Sequence, residues 1–198
     1  MAVGDESDET LVARAGRGDR AAASTLVLRH TDRIFAASWR MLGERAAAED
    51  ATQETFLRLW RHAARWRPGA AKFETWLYKV AMNICLDKLR KRGREAPEEA
   101  APERADEAAR ADDALIAEER RRAVGEAMAR LSERQRLAVT LCNFEERSNI
   151  EAAEIMGVSI EALESLLARG RRALRDMLLS RREELMEGDR HDASTFAR

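Results

Sequence analysis

The residues best suited to chemistry are the cations and aromatic rings of the stretch from Ala48 to Arg94. It holds three of the four tryptophans and the single tyrosine: Trp60, Trp66, Trp76 and Tyr78. From position 65 to 94 there are nine lysines and arginines but only two carboxylates, Glu74 and Asp87. Cations meet phosphates and rings stack on unpaired bases, so this composition suits a nucleic-acid surface. The alternative is a helical core with a solvated basic rim, and composition alone favours it because aromatic residues at helical spacing are usually buried.

A second stretch, residues 148–178, has the pattern of a helix-turn-helix. A short helix runs to Met156, Gly157 turns the chain, and Ser159 caps a longer helix. That second helix would enter a major groove, and several polar residues occupy its outward positions. They include Glu164, Ser165, Arg169, Arg171 and Arg172. The alternative is a plain three- or four-helix bundle, since arginines late in a helix also complement its dipole.

The elements that must position these residues are helices, because the composition predicts an all-α fold. Charged residues make up 36% of the 198 positions and aromatic residues 5%, and good helix formers dominate. Apolar spacing predicts helices over about 9–15, 20–42, 46–64, from 73 onward, 119–131 and from 160 onward. In the helix over 46–64, the stripe expected to face the core is Ala48, Ala51, Thr55, Leu59 and Ala63. Asp19 is expected to cap one helix and Gly43 to end it, and Ser132 with Gln135 predicts a capping box. Residues 1–8 are expected to be disordered.

Charge and composition divide the chain into two small helical domains. Residues 9–94 form the first and residues 120–180 the second, joined by a flexible acidic linker over 95–119 and followed by a tail over 181–198. The 94 N-terminal residues carry 18 basic and 12 acidic groups, and the linker carries 2 and 10. A basic front half and an acidic middle are therefore concealed by a net charge of −1.

Several function classes are excluded by what the sequence lacks. The three histidines are scattered, no metal-ligand spacing joins them to the cysteines, and no glycine-rich phosphate loop occurs. We therefore expect no enzyme activity, catalytic residue, metal site or cofactor. Cys85 and Cys142 sit in apolar patterns and are interpreted as small buried residues in a reducing compartment. No signal peptide or bilayer-spanning run is visible, so the sequence predicts a soluble cytoplasmic protein without membrane insertion.

Taken together, the chain resembles the extracytoplasmic-function (ECF) sigma factors of bacteria, in the sigma-70 family. The resemblance rests on motif blocks in the family's order: AEDATQETFLRLWR over 48–61, FETWLYKVAMNICLDKLRKRGR over 73–94, and LSERQRLAVTLCNFEERSNIEAAEIMGVSIEALESLLARGRRALR over 131–175. It implies an all-helical, two-domain subunit of RNA polymerase. The first domain resembles sigma region 2, and the second resembles region 4.

The resemblance implies two functions for region 2. One helix docks on the clamp helices of core RNA polymerase, and the matching residues are Asp50, Gln53, Glu54, Leu57 and Arg58. The following segment captures melted bases of the promoter −10 element, with Asn83 matching a polar residue beside the base pocket. Its other candidate residues are the cations Arg65, Arg67, Lys72, Lys79, Lys88, Arg90, Lys91 and Arg92.

Region 4 would read the −35 element through the residues named above for the second helix, Glu164, Ser165, Arg169, Arg171 and Arg172. Glu164 departs from the family, where a basic residue is common; a carboxylate can accept from cytosine N4 but cannot hold phosphate. The loop FEERSN, over 144–149, is also more charged than the commoner apolar version. The family further implies an anti-sigma factor as a partner and a role in a stress or envelope response.

Two other classes remain open from the sequence. A sigma-like decoy would bind an anti-sigma factor without engaging DNA, but it would lose its basic DNA-facing residues, and this chain keeps KLRKRGR and RGRR. A conventional helix-turn-helix repressor would explain residues 130–178 but not the stretch from 48 to 94. A test of binding to core RNA polymerase would distinguish a sigma factor from both of these classes.

Overall fold

The computed structural model describes residues 6–66, 72–95 and 112–195, and in those ranges it contains helices and no strand. The helices are α1 (Asp8–Ala15), α2 (Arg20–Leu42), α3 (Arg45–Ala63), α4 (Phe73–Glu95), α5 (Asp112–Arg130), α6 (Glu133–Val139), α7 (Asn149–Met156) and α8 (Ile160–Thr195). A short π-helix, Thr140–Phe144, continues α6. The all-α prediction is confirmed.

The start of the chain is more ordered than predicted. Ser7 caps α1 by accepting from the Thr10 amide at 3.3 Å. The Asp8 carboxylate then binds Arg29 at 2.8 Å and His30 at 2.7 Å on α2. These side-chain contacts tie residues 7 and 8 to the first unit, so the prediction of disorder is wrong there. Residues 1–5 lie outside the described part of the chain.

Helices α1 to α4 form the first unit, and their ends follow the predicted signals. The Asp19 carboxylate accepts from the amides of Ala21 and Ala22, satisfying donors that the first turn of α2 leaves free. Gly43 ends α2 in the left-handed region, with φ of 70°, where a residue without Cβ is favoured.

The core of the first unit lies between α2, α3 and α4. The predicted inner stripe of α3 is buried along its whole length: Ala48, Ala51, Thr55, Leu59 and Ala63. From α4 the buried residues include Phe73, Leu77, Tyr78 and Ala81, while Trp76 and Val80 are half-buried at its edge. Because only one face each of α3 and α4 packs into this core, their other faces can contact other molecules.

The second unit comprises α5 to α8, and two of its bounds differ from the prediction. Helix α5 begins at Asp112, so the last part of the predicted linker is helical, whereas residues 96–111 lie outside the described residues. Helix α8 continues through the predicted tail to Thr195. Residues after Ser180 include several Arg and Glu and one Leu, which are good helix formers, and apolar spacing alone did not reveal this continuation.

The two units are in direct contact, which the sequence did not predict. A continuous cluster of buried apolar residues joins them, with Met41 of α2 in the first unit and Leu141 of the π-helix in the second among its members. Arg136 of α6 is buried and donates from Nη1 to the Met41 carbonyl oxygen at 2.7 Å. The units therefore share a packed interface as well as a covalent connection.

Candidate functional site

A groove between α3 and α4 contains all five residues predicted to bind polymerase. Helix α3 contributes Asp50, Gln53, Glu54, Leu57 and Arg58, and helix α4 contributes Ile84, Asp87, Lys88 and Lys91. These α3 residues face away from the buried stripe of that helix. The structure thus brings the predicted docking set together on one surface.

The groove combines an apolar centre with a charged rim. Leu57 is 49% exposed and lies beside Ile84, which is buried. On the rim, Arg58 binds Glu54 at 2.9 Å, and this guanidinium holds the pKa of the Glu54 carboxyl below its usual value. Lys88 lies 3.6 Å from Asp50 across the groove. An exposed leucine surrounded by charged pairs can anchor a partner's apolar residue while the rim sets its orientation.

The predicted −10 residues of α4 divide between different faces of the helix. At 100° per residue, Lys79, Asn83 and Arg90 fall within about 40° of one another and form an exposed stripe. Lys88 and Lys91 instead point into the groove between α3 and α4. Helical phase, which the sequence contains, could have separated these two groups.

Arg92 faces a third direction. Its guanidinium binds the Glu44 carboxylate and the Leu42 carbonyl oxygen, the latter at 3.5 Å, at the turn between α2 and α3. In the structure Arg92 therefore joins α4 to that turn. This contact uses part of the hydrogen-bonding capacity that phosphate binding would require.

Four aromatic rings cluster where α3 ends and α4 begins. Trp66 contacts Phe73 and Trp76 edge-on, with centroids 5.7 and 5.6 Å away. His62 stacks on Trp76 at 5.0 Å with an interplanar angle of 17°. Phe73 is buried, whereas Trp66 and Trp76 are half-buried and His62 is exposed. The cluster therefore belongs partly to the core and partly to the surface. The stacking of His62 on Trp76 was not predicted from the sequence.

Three predicted −10 cations belong to the segment around this aromatic cluster. Arg65 is exposed just before the cluster's Trp66. Lys72 is exposed just before α4 and binds Glu151 of α7 at 3.0 Å. Arg67 lies outside the described residues.

The helix-turn-helix forms as predicted. Ser148 accepts from the Glu151 amide at 3.3 Å, Gly157 turns the chain with φ of 62°, and Ser159 accepts from the Ala162 amide at 3.2 Å. The predicted −35 residues are all exposed on α8: Glu164, Ser165, Arg169, Arg171 and Arg172. The exposed face of α8 is thus available to a duplex.

Two of these side chains are oriented by neighbours. Asn149, the first residue of α7, donates from Nδ2 to Glu164 at 3.2 Å. Arg171 donates from Nε to the Asn143 side-chain oxygen at 3.2 Å. Glu164 therefore has a contact within the helix-turn-helix, and its carboxylate points between the two helices of the motif.

The cysteines fit the interpretation as packing residues only in part. Cys85 is buried, and burial raises the pKa of its thiol to about 11. Cys142 is half-buried, with its sulfur 4.0 Å from Asn149 Oδ1. Over the described ranges, no cluster of three or more His, Cys, Asp or Glu could hold a metal ion. No helix there is long and apolar enough to cross a membrane.

Comparison with known proteins agrees with this arrangement. Residues 26–95 match the family model of Sigma-70 region 2, and residues 121–174 match that of Sigma-70, region 4. The chain is 36% identical over 187 residues to the ECF RNA polymerase sigma factor SigE of Mycolicibacterium smegmatis, covering 91% of this chain and 71% of that protein. The chain belongs to the ECF sigma factors. It is also 31% identical to the RNA polymerase sigma-H factor of Pseudomonas aeruginosa, over 85% of this chain and 92% of the relative.

Solved structures show the same fold for this ECF sigma factor. CnrH, solved in complex with the cytosolic domain of CnrY, matches 88% of this chain with a TM-score of 0.69 and 23% identity. The match covers 99% of the CnrH chain. The sigma factor RpoE of Bartonella quintana, solved with the anti-sigma factor NepR, matches 78% with a TM-score of 0.61 and 24% identity, and is covered to 95%.

Membership of the family makes the chain an alternative sigma factor that directs promoter-specific transcription. The region 2 match spans the groove between α3 and α4 and the exposed stripe of α4, and the region 4 match spans the helix-turn-helix. Sequence reasoning missed the residues by which the two regions contact each other. Glu145 and Arg147, in the loop before α7, are the principal ones, and their charge was the only signal.

Proposed function

We propose that this ECF sigma factor docks on core RNA polymerase through the groove between α3 and α4. The observation that carries the proposal is the half-exposed Leu57 at the centre of that groove, beside the buried Ile84. A leucine that folding leaves uncovered can gain apolar burial only from a partner. The rim pairs Arg58–Glu54 and Lys88–Asp50 supply opposite charges for orientation.

The exposed stripe of α4 then captures the melted −10 element. Lys79 and Arg90 offer phosphate contacts, and Asn83 between them carries both a donor and an acceptor for a base edge. The half-buried Trp66 and Trp76, near the start of α4, provide ring surface for an unpaired base. Arg65, Arg67 and Lys72 add positive charge around those rings. Lys88, Lys91 and Arg92 add to the positive electrostatic potential from neighbouring faces of α4. Lys88 and Lys91 also line the docking groove.

Helix α8 reads the −35 element in the major groove. Ser165, Arg169 and Arg172 lie within about 60° on its exposed face, whereas Arg171 lies about 100° from Arg172, on the side of Glu164. The arginines contact guanine or phosphate. Glu164, oriented by Asn149, accepts from cytosine N4.

We further propose that the protein acts in the cytoplasm, catalyses no reaction and is restrained by an anti-sigma factor. The docking groove supports that restraint, because a competitor that covers Leu57 would exclude polymerase. The related fold of RpoE was solved with the anti-sigma factor NepR, a partner of that protein. A stress or envelope response would release the factor.

Co-elution with bacterial core RNA polymerase on a sizing column tests the docking step. The wild-type chain should co-elute, and Gln53→Ala/Leu57→Ala should not, with circular dichroism confirming that the variant is folded. Selection of promoters from random DNA by the resulting holoenzyme then tests both DNA surfaces. Failure of the folded wild-type chain to bind core would refute the proposal and favour a decoy or a repressor. Duplex binding by the full chain would distinguish those two.

A further inference from the structure

The loop between the π-helix and α7 makes buried polar contacts with the first unit. The Tyr78 hydroxyl donates to the Glu145 carboxylate at 2.6 Å, and Arg40 donates to the same carboxylate at 2.8 Å. The Glu145 side chain is 6% exposed. One loop residue of region 4 therefore contacts both α2 and α4 of region 2.

Arg147 makes the second contact in the same loop. Its two terminal nitrogens bind the two carboxylate oxygens of Glu74 at 2.6 and 2.8 Å, and its side chain is 9% exposed. The guanidinium also lies 4.4 Å above the centre of the Tyr78 ring. A bidentate pair of this kind fixes orientation as well as distance. Glu74 and Tyr78 on one side thus meet Glu145 and Arg147 on the other.

The backbone of the loop is unusual at the same place. The π-helix Thr140–Phe144 directly precedes Glu145, and π-helices are rare and often functional. Glu146 adopts φ of 52°, the left-handed region that a glutamate seldom occupies. Such backbone persists when surrounding contacts fix it. Here it aims Glu145 and Arg147 at one interface while Glu146 stays exposed.

The contacted residues of α4 lie on a different side of the helix from the −10 stripe. On the helical wheel, Glu74 and Tyr78 fall more than about 100° from Lys79 and Asn83. Lys79 and Asn83 remain exposed, as does Leu57 in the groove. The interface therefore leaves the −10 stripe and the docking groove uncovered, and of the −10 candidates it engages Lys72, which binds Glu151. Most of the restraint must come from the relative position of the two units.

That relative position conflicts with simultaneous contact to both promoter elements. Elements centred near −35 and −10 are about 25 base pairs apart, or about 85 Å of B-form DNA at 3.4 Å per pair. A compact chain of 198 residues has a radius of gyration of about 16 Å. With Arg147 bound to Glu74, the helix-turn-helix abuts the start of α4, so the two surfaces cannot reach both elements.

We propose that Glu145 and Arg147 form an interdomain latch, which holds region 4 against region 2 and must open before the factor engages a full promoter. The proposal rests on the proposed function above. The 17 peptide links from residue 95 to residue 112 can span at most about 60 Å, which permits the separation. Only the fraction of molecules with an open latch is competent for the promoter, so the latch raises the concentration of factor that transcription requires.

The variant Glu74→Lys tests the latch from the region 2 side. It places a cation against Arg147 and leaves every residue of the helix-turn-helix unchanged. Glu126→Lys is the matched control for the charge reversal, because Glu126 binds Arg181 within the second unit. Small-angle X-ray scattering of the free, full-length proteins should show a larger radius of gyration for Glu74→Lys only. Circular dichroism checks that both variants keep their helices.

A conservative variant keeps the latch testable if Glu74→Lys fails to fold. Tyr78→Phe removes only the hydroxyl that donates to Glu145 and keeps the buried ring. It should shift the radius of gyration in the same direction by less. If both folded variants stay as compact as wild type, the latch does not exist.

Transcription from a promoter fragment recovered by selection supplies the functional measurement. At fixed core polymerase, the concentration of factor for half-maximal transcription should fall about tenfold for Glu74→Lys and stay unchanged for Glu126→Lys. If Glu74→Lys has a larger radius of gyration but needs the same concentration of factor, the latch does not restrain transcription. If neither wild type nor any variant binds core polymerase, the proposed function fails, and the restraint on transcription fails with it. Scattering still decides whether the latch exists.

Discussion

Truncation of Leu57 should weaken polymerase binding by an amount that the structure sets. Leu57→Ala removes three carbon atoms from a side chain that is 49% exposed in the free protein. About 0.8 kcal/mol is gained per buried methylene, so covering the exposed half contributes roughly 1.2 kcal/mol to binding. The expected result is an increase of about eightfold in the dissociation constant for core RNA polymerase. Folding should be nearly unaffected, because alanine is a good helix former.

The dissociation constant is measured by fluorescence polarisation, with the labelled sigma factor titrated with core polymerase. Leu179→Ala is the matched control, since Leu179 is also 49% exposed but lies on α8 away from the groove. Its dissociation constant should equal that of wild type. A change of less than about twofold for Leu57→Ala, or an equal loss for Leu179→Ala, would refute the assignment of the docking face to α3.

Three further predictions concern packing, DNA and pH. Gly16→Ala should cost about 1–3 kcal/mol and lower Tm, because the new Cβ would lie 2.5 Å from the Ala63 carbonyl oxygen. Gly125→Ala, in a helix with open space, should raise Tm slightly, and equal shifts in calorimetry would contradict this reasoning. Lys79→Ala should reduce the slope of log K against log salt for holoenzyme on a promoter with a single-stranded −10 segment by about 0.7, and an unchanged slope would remove Lys79 from the phosphate contacts. Arg147 holds the pKa of the Glu74 carboxyl below its ordinary value of 4.5, so the contribution of this pair is present at neutral pH and is lost as pH falls through the lowered pKa. Scattering should therefore show expansion on acidification before the helices melt, and in Glu74→Gln that acid-induced step should be absent.

Local structure was the part of this fold that the sequence could predict. The Ser132 capping box forms as expected, with Ser132 accepting from the Gln135 amide at 3.4 Å and the Gln135 side chain accepting in return. Such signals join residues three or four apart, so they are complete within a short window. The buried stripe of α3 was likewise predicted from period alone. Because that stripe was right, the outward face with Leu57 was also right.

Helix ends without caps and contacts between distant residues were harder to predict. The predicted linker and tail hid the start of α5 and the continuation of α8, because composition does not show where an uncapped helix begins. Glu145 and Tyr78 are separated by 67 positions, and nothing local in either residue indicates the other. The charge of the FEERSN loop was visible as a departure from the family, but its target was not.

The order in which the chain is made gives the separation of Tyr78 and Glu145 a further meaning. Ribosomes in living cells add about 5–20 residues per second, so a separation of 67 positions corresponds to roughly 3–13 s. Helices α3 and α4 are complete once residue 95 has been added, whereas the loop that will cover Tyr78 still has to be synthesised. A nascent first unit can thus present its α3–α4 groove to a waiting partner before closure is available. The earliest assembly of this factor could be decided on the ribosome, by whichever protein arrives within those seconds.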